Sequence, residues 1–119
     1  MNLFLCSSFQ GHSELIVYPG DTEVLINHST YFNCSTSIRN EQIHWYHYRV
    51  GENRTNYVYY KGEYNKNYPD RYNVMINKET GEYNLIISSV QPIDAGRYVC
   101  QDDGGLGRSG SAELVVLGQ

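Results

Sequence analysis

Apolar and polar residues alternate with a period of two in several short segments of this chain. The clearest case is residues 42–49, where the two sets are Ile43, Trp45 and His47, and His44, Tyr46 and Tyr48. Successive side chains of a β-strand point to opposite faces, so this pattern is typical of a strand with one buried side. No segment of useful length repeats with the helical period. The pattern therefore predicts an all-β protein.

Turn-forming residues divide the chain into short strands. In the strand at 83–88, Leu85 and Ile87 are expected to face the core. Three polar segments are predicted as loops at one end of the fold: residues 35–41, 61–68 and 102–109. The predicted strands are 14–18, 22–26, 30–34, 42–49, 55–61, 71–76, 83–88, 96–102 and 112–117, and residues 62–68 form a polar region between two of them.

Length and charge limit the possible classes of protein. The chain has 119 residues, enough for one domain, and a formal net charge of −4 with 18% charged residues. A nucleic-acid binder would carry a basic face, so nucleic acid is not an expected partner. No stretch reaches the roughly 18 to 20 apolar residues of a membrane span, and membrane attachment is expected only through an anchor outside this chain. Residues 1–13 are interpreted as a leader remnant or an N-terminal extension.

Motifs of catalysis are missing from the sequence. The four histidines form no HExxH motif or other close array of metal ligands, and there is no GxSxG. The glycine-rich run Gly104–Gly107 lies between two predicted strands and is interpreted as a hairpin turn. We therefore expect a protein that is not an enzyme and that has no cofactor and no metal.

The segment Asp94-Ala95-Gly96-Arg97-Tyr98-Val99-Cys100 carries the most specific motif. Together with Cys34 and Trp45 upstream it resembles the immunoglobulin superfamily. Cys34 and Cys100 are 66 positions apart, which leaves room for two extra strands, so the resemblance is to the V-set over residues 14–117. It implies a Greek-key β-sandwich of about nine strands in two sheets. Antigen-receptor V domains and V-type innate immune receptors of lower chordates and invertebrates are similar.

The resemblance also implies roles for the scaffold residues. Cys34 and Cys100 would form the core disulfide, with Trp45 packed against it. Tyr98 would form a tyrosine corner, and Arg71 and Asp94 a salt bridge at the same corner. The third cysteine, Cys6, is either removed with a leader, bridged to another chain, or free.

Tyrosine occurs 12 times, and several tyrosines fall on strands that correspond to G, F, C and C′ of the V-set fold. Tyrosine suits a recognition surface because it offers a large contact area with few rotatable bonds. In V-set families this GFCC′ face is the one that pairs. If the strand register slips, Tyr60 instead of Tyr59 lies on the GFCC′ face. The predicted interface residues are Tyr46, Tyr48, Tyr57, Tyr59, Val99 and Gln101. The predicted loop contacts are Arg39, Lys61, Asp102 and Asp103.

These features predict an extracellular recognition domain of an immune-type receptor, at the cell surface or secreted, with a protein partner. Self-association through the GFCC′ face is one specific hypothesis. The alternatives are a homophilic cell-adhesion domain and a carbohydrate-binding lectin module, in which Arg97 would bind a sugar carboxylate. Three sequons agree with an extracellular location and predict glycosylation at Asn27, Asn33 and Asn53.

Overall fold

The computed structural model describes residues 15–37, 42–102 and 109–118, and eleven β-strands lie within these ranges. A short 3-10 helix, Pro92–Asp94, precedes β10. The described part contains no helix long and apolar enough to cross a membrane. The strands are β1 Leu15–Val17, β2 Thr22–Leu25, β3 Thr30–Phe32, β4 Ser35–Thr36, β5 Ile43–Arg49, β6 Asn56–Tyr60, β7 Glu63–Tyr64, β8 Tyr72–Asn77, β9 Glu82–Ile87, β10 Gly96–Asp102 and β11 Ser109–Leu117.

The strands form two sheets that pack face to face. In sheet 1, β9 pairs with β3 and β4 on one side and with β8 on the other, and β1 pairs with β4. In sheet 2 the order is β2-β11-β10-β5-β6-β7, with β2 and β11 parallel and the other neighbours antiparallel. Because β1 with β2, and β3 with β4, are each two parts of one interrupted strand, the described strands correspond to the nine of the predicted V-type sandwich.

The core lies between the sheets, around the disulfide between Cys34 and Cys100. Trp45 pairs with Cys100 across β5 and β10, so its fully buried indole lies beside this disulfide, as the sequence predicted. Its Nε1 donates a hydrogen bond of 2.9 Å to the backbone oxygen of Tyr83. The other large, fully buried side chains include those of Phe32, Ile43, Leu85, Ile87 and Tyr98.

Two of the predicted segments contain more strand in the structure than the sequence indicated. Ser35 and Thr36 were assigned to a polar loop, but they form β4, which pairs with β1 and β9 in sheet 1, and both are buried. The last strand begins at Ser109 instead of residue 112, and it pairs with β10 in an unbroken register from Gln101–Ser109 to Gly96–Leu114. Polarity alone underestimated both strands.

Gly96 allows the chain to enter β10 directly after the 3-10 helix. Its φ is +130°, and an added Cβ would lie 2.3 Å from the backbone oxygen of Tyr48. No other residue fits this close approach between β10 and β5 without displacing the backbone. Gly96 therefore fixes where β10 begins, and with it which side chains of β10 face outward.

Candidate functional site

The outer face of sheet 2, built from β11, β10, β5 and β6, presents side chains in three rows. Val99 pairs with Ser111 on one side and with Tyr46 on the other, and Tyr46 pairs with Tyr57. This central row carries no charge. The lower row is Glu113, Arg97 and Tyr48, and the upper row is Ser109, Gln101 and His44.

Tyr60 joins the aromatic side chains of this face into one cluster. Its ring centroid lies 4.6 Å from that of His44, 6.3 Å from that of Tyr46 and 5.9 Å from that of Tyr57. Tyr57 and Tyr60 remain 40% and 39% exposed, while Tyr46 and Val99 are half-buried. The cluster is therefore an ordered aromatic surface in contact with solvent.

Tyr59 does not belong to this face, and its predicted place there was wrong. Trp45 pairs with Tyr59 while Tyr46 pairs with Tyr57, so Val58 is an extra residue on β6. This β-bulge interrupts the alternation. Tyr59 consequently turns into the core at 7% exposure, and Tyr60 takes the outward position, as in the alternative register.

The ring of His44 packs between the aromatic cluster and the sheet. Although it lies on the outer face, it is buried beneath Tyr60. The backbone N–H of Lys61 donates a hydrogen bond of 3.1 Å to Nδ1 of His44. This bond ties the end of β6 to β5 and so fixes the position of Tyr60. Alternation along β5 placed His44 outward, but nothing in the sequence indicated that it would be covered.

Arg97 is exposed on the lower row. Its guanidinium lies over the ring of Tyr48, with 4.4 Å between Cζ and the ring centroid. A cation held over an aromatic face is attracted by the electron-rich ring. The pair is also a cross-strand neighbour pair of β10 and β5, which explains the contact.

The predicted loop contacts have different positions. Lys61 is exposed, and its Nζ lies 5.7 Å from the ring centroid of Tyr60, so it belongs to the edge of the same face. Asp102 is 3% exposed and follows the inward positions of Tyr98 and Cys100 at the end of β10, so the expectation of an exposed loop carboxylate was wrong. Arg39 and Asp103 lie outside the described residues.

Asp94 stabilises the corner between the 3-10 helix and β10. Arg71 makes a bidentate contact with its carboxylate, with Nη1–Oδ2 at 2.6 Å and Nη2–Oδ1 at 3.1 Å. Tyr72 also donates to Oδ1, and Tyr98 donates to the backbone oxygen of Asp94, which is the tyrosine corner. Burial alone would raise the pKa of Asp94, but the hydrogen bonds from Arg71, Tyr72 and the backbone of Gln91 together hold it below its usual value.

His47 lies at the centre of a buried polar network that the sequence did not reveal. Its ring stacks on Tyr98 with centroids 4.1 Å apart, and its Nε2 is 3.0 Å from the backbone oxygen of Ala95. Because a carbonyl only accepts, Nε2 carries the proton, and Nδ1 accepts from the hydroxyl of Tyr68 at 3.0 Å. Burial lowers the pKa of His47 to about 4 and raises that of Tyr68 to about 12.

The three sequon asparagines are all exposed. Asn27 lies in the turn after β2, Asn33 between β3 and β4, and Asn53 in the turn between β5 and β6. Within residues 15–37, 42–102 and 109–118, no three His, Cys, Asp or Glu side chains are grouped so that they could hold a metal ion.

Comparison with known proteins identifies the family. The family model of the immunoglobulin V-set domain matches residues 17–117. The chain belongs to the immunoglobulin V-set family. No curated protein matches this V-set chain significantly. Among solved structures, the crystal structure of the RIG-5 IG1 homodimer is similar, with a TM-score of 0.74 and 16% sequence identity over 89% of this chain and 98% of that chain.

Membership of the V-set family sets the general class of function. V-set domains are generally non-enzymatic binding modules, they commonly bind proteins, and they are typically extracellular. The resemblance to an immunoglobulin V-set domain and the predicted β-sandwich are thus confirmed.

Proposed function

We propose that this V-set domain is the extracellular recognition domain of an immune-type receptor and binds a protein through the outer face of sheet 2. The observation that carries this proposal is the uncharged central row of Ser111, Val99, Tyr46 and Tyr57. Polar and charged side chains flank it above and below. An apolar and aromatic centre inside a polar rim is the usual composition of a protein interface.

A second copy of the chain is the first partner to test. A two-fold axis through the face would bring the central row of one copy onto that of the other, which is the self-complementary arrangement of a symmetric dimer. The aromatic cluster is already ordered by contacts among its own rings, so its association would cost little side-chain entropy. The similar RIG-5 IG1 domain is a homodimer in its crystal structure, which supports this choice.

Tyr57→Asp is the variant that tests the proposal. It places a charge in the central row, where burial against a partner would cost free energy. Tyr48→Asp is less informative, because the new carboxylate would face the guanidinium of Arg97. The matched control is Tyr31→Asp, since Tyr31 is 62% exposed on the outer face of sheet 1.

The measurement is the molar mass in solution over a dilution series, by sedimentation, with and without reductant. We expect a concentration-dependent dimer for the wild type and Tyr31→Asp, and a monomer for Tyr57→Asp. A dimer that Tyr57→Asp leaves unchanged contradicts the proposed face. A dimer lost on adding reductant would instead indicate a bridge through Cys6.

Immune recognition and homophilic adhesion would both use the outer face of sheet 2. In homophilic adhesion the partner is a copy of the domain on another surface. For adhesion, beads coated with the domain would aggregate with each other, and Tyr57→Asp would abolish the aggregation. An immune-type receptor with a foreign partner would leave the beads dispersed.

Carbohydrate recognition through Arg97 is the second candidate function. Arg97 is exposed on β10, and a guanidinium stacked on a ring keeps its edge N–H groups for a carboxylate in its plane. This candidate predicts that the domain binds acidic glycans on an array and that Arg97→Gln abolishes the signal. An array without acidic-glycan binding contradicts it.

A further inference from the structure

Asn33 lies at an interruption of a strand on the outer face of sheet 1. It follows β3 and precedes β4, and its side chain is exposed. At this point the backbone N–H of Cys34 donates to Oδ1 of Asn84, at 3.0 Å, so a side chain replaces the usual backbone partner. The strand is therefore interrupted at the sequon Asn33-Cys34-Ser35, and the backbone N–H of Cys34 still has a hydrogen-bond partner.

A groove lined by two tyrosines begins at Asn33. It has a volume of about 350 Å³ and runs between the β1–β2 connection and β3. Tyr31 lies two residues before Asn33 on the same strand face and is 62% exposed, and Tyr18 is 53% exposed. Asp21 and Thr22 add polar groups to the lining. Grooves of this size suit a small ligand with both apolar and polar surface.

We propose that Asn33 carries an N-linked glycan whose first sugar lies in this groove against the ring of Tyr31. A pyranose presents polarised C–H groups on one side, which the electron-rich face of an aromatic ring attracts, and hydroxyl groups at its edge. The proposal depends on the extracellular location in the proposed function, but not on the recognition face of sheet 2.

The modification requires a lipid-linked oligosaccharide diphosphate as donor and the transferase of the secretory pathway. Nδ2 of Asn33 forms a bond to C1 of the first sugar, the bond from C1 to the diphosphate oxygen breaks, the lipid diphosphate leaves, and one amide proton passes to a base. Ser35 is buried and Cys34 is in the core disulfide. Transfer therefore precedes the folding of β4, and it must be tested in secreting cells, not on the folded protein.

The surroundings of Asn33 differ from those of the other sequons. Asn27 has a φ of 73° in a tight turn, and its Oδ1 accepts a hydrogen bond of 2.9 Å from Nε2 of Gln91. Asn53 lies in an exposed turn between Glu52 and Arg54. Asn33 is the sequon with an exposed aromatic ring on the same strand face.

The first test is occupancy. The chain is secreted from eukaryotic cells, and glycopeptides are mapped by tandem mass spectrometry, with Asn33→Gln as the control. We expect the glycan at Asn33 and its loss in the control. Secreted wild-type protein with Asn33 unmodified overturns the proposal, whatever is found at Asn27 and Asn53 and whatever the oligomeric state is.

The second test is contact with Tyr31, by a double-mutant cycle of Asn33→Gln and Tyr31→Ala on a background of Asn27→Gln and Asn53→Gln. In glycosylated protein, Tyr31→Ala should lower Tm by several degrees more when Asn33 is present than when it is replaced. Tyr31→Phe keeps the ring and should retain the glycan's effect. The four proteins made in a host without the transferase should show no such coupling. Equal coupling with and without the glycan would overturn the proposed packing.

Discussion

His47 is an ionisable residue that the fold holds in its neutral form. Neutral His47 satisfies both of its neighbours, because Nε2 donates to Ala95 and Nδ1 accepts from Tyr68. Burial lowers its pKa from 6.5 to about 4. Between these values the unfolded chain binds the proton and the folded chain does not, so the free energy of unfolding decreases as the pH falls through this range.

His47→Gln should remove most of that pH dependence. From the cited pKa values, the wild type should lose about 2 kcal/mol of unfolding free energy between pH 7 and pH 4.5 through this one group. Chemical denaturation at the two pH values measures the difference. His28→Gln, at an exposed turn, is the control and should lose as much as the wild type. An equally large loss in His47→Gln contradicts the assigned role.

Asp94 acts in a lower range of pH. Its pKa is held below the usual value, so its contribution to stability is present above the pKa of the unfolded chain and is lost as the pH falls through the folded-state value. His47 therefore governs the first loss of stability on acidification, and the corner salt bridge governs the next.

At the scale of single elements, the start of β10 is sensitive to substitution. Gly96→Ala would place a Cβ 2.3 Å from the backbone oxygen of Tyr48 at a φ of +130°, so we expect a loss of about 2 to 4 kcal/mol in unfolding free energy. Gly62→Ala is the matched control. Its φ is +84° but the space around it is open, and about 1 kcal/mol is expected.

Thermal and denaturant unfolding of both variants provide the measurement. If the two alanine variants are equally stable, the close approach of β10 to β5 does not limit this position. A larger loss of unfolding free energy in Gly96→Ala than in Gly62→Ala, together with changed amide signals of β5 and β10, would support a displacement of the backbone at Gly96.

The strands follow from the sequence where the side-chain alternation is unbroken. Residues 43–49 and 96–102 were predicted to within one residue, since Trp45, Tyr98 and Cys100 mark their inward faces. Continued alternation from Tyr98 and Cys100 places Asp102 inward, so its predicted place among the loop contacts was wrong.

The bulge at Val58 could not be predicted from the sequence. Tyr59 and Tyr60 have the same strand preference, and only the pairing with Trp45 and Tyr46 decides which ring faces outward. Burial of Ser35 and Thr36 likewise depends on β1, which lies elsewhere in the chain. Sequence reasoning therefore predicted the sheets and the disulfide, whereas the composition of the outer face required the structure.

At the scale of the whole molecule, we propose different roles for the two outer faces. Sheet 2 presents Val99, Tyr46 and Tyr57 in an uncharged row, and sheet 1 presents Tyr31 beside the proposed glycan at Asn33. A glycan there would cover Tyr31 on sheet 1 and leave the central row of sheet 2 exposed. Recognition and shielding would thus lie on opposite sides of one sandwich.

The outer face of sheet 2 is the proposed recognition surface, with a second copy of the chain as its partner. The most direct test is a series of ¹H–¹⁵N spectra of the unglycosylated chain at increasing concentration in reductant. We expect the amide signals of Tyr46, Tyr57 and Val99 to shift with concentration, while those of Tyr31, Met75 and Ile86 stay fixed. Shifts confined to the second set, or none up to the solubility limit, would contradict it.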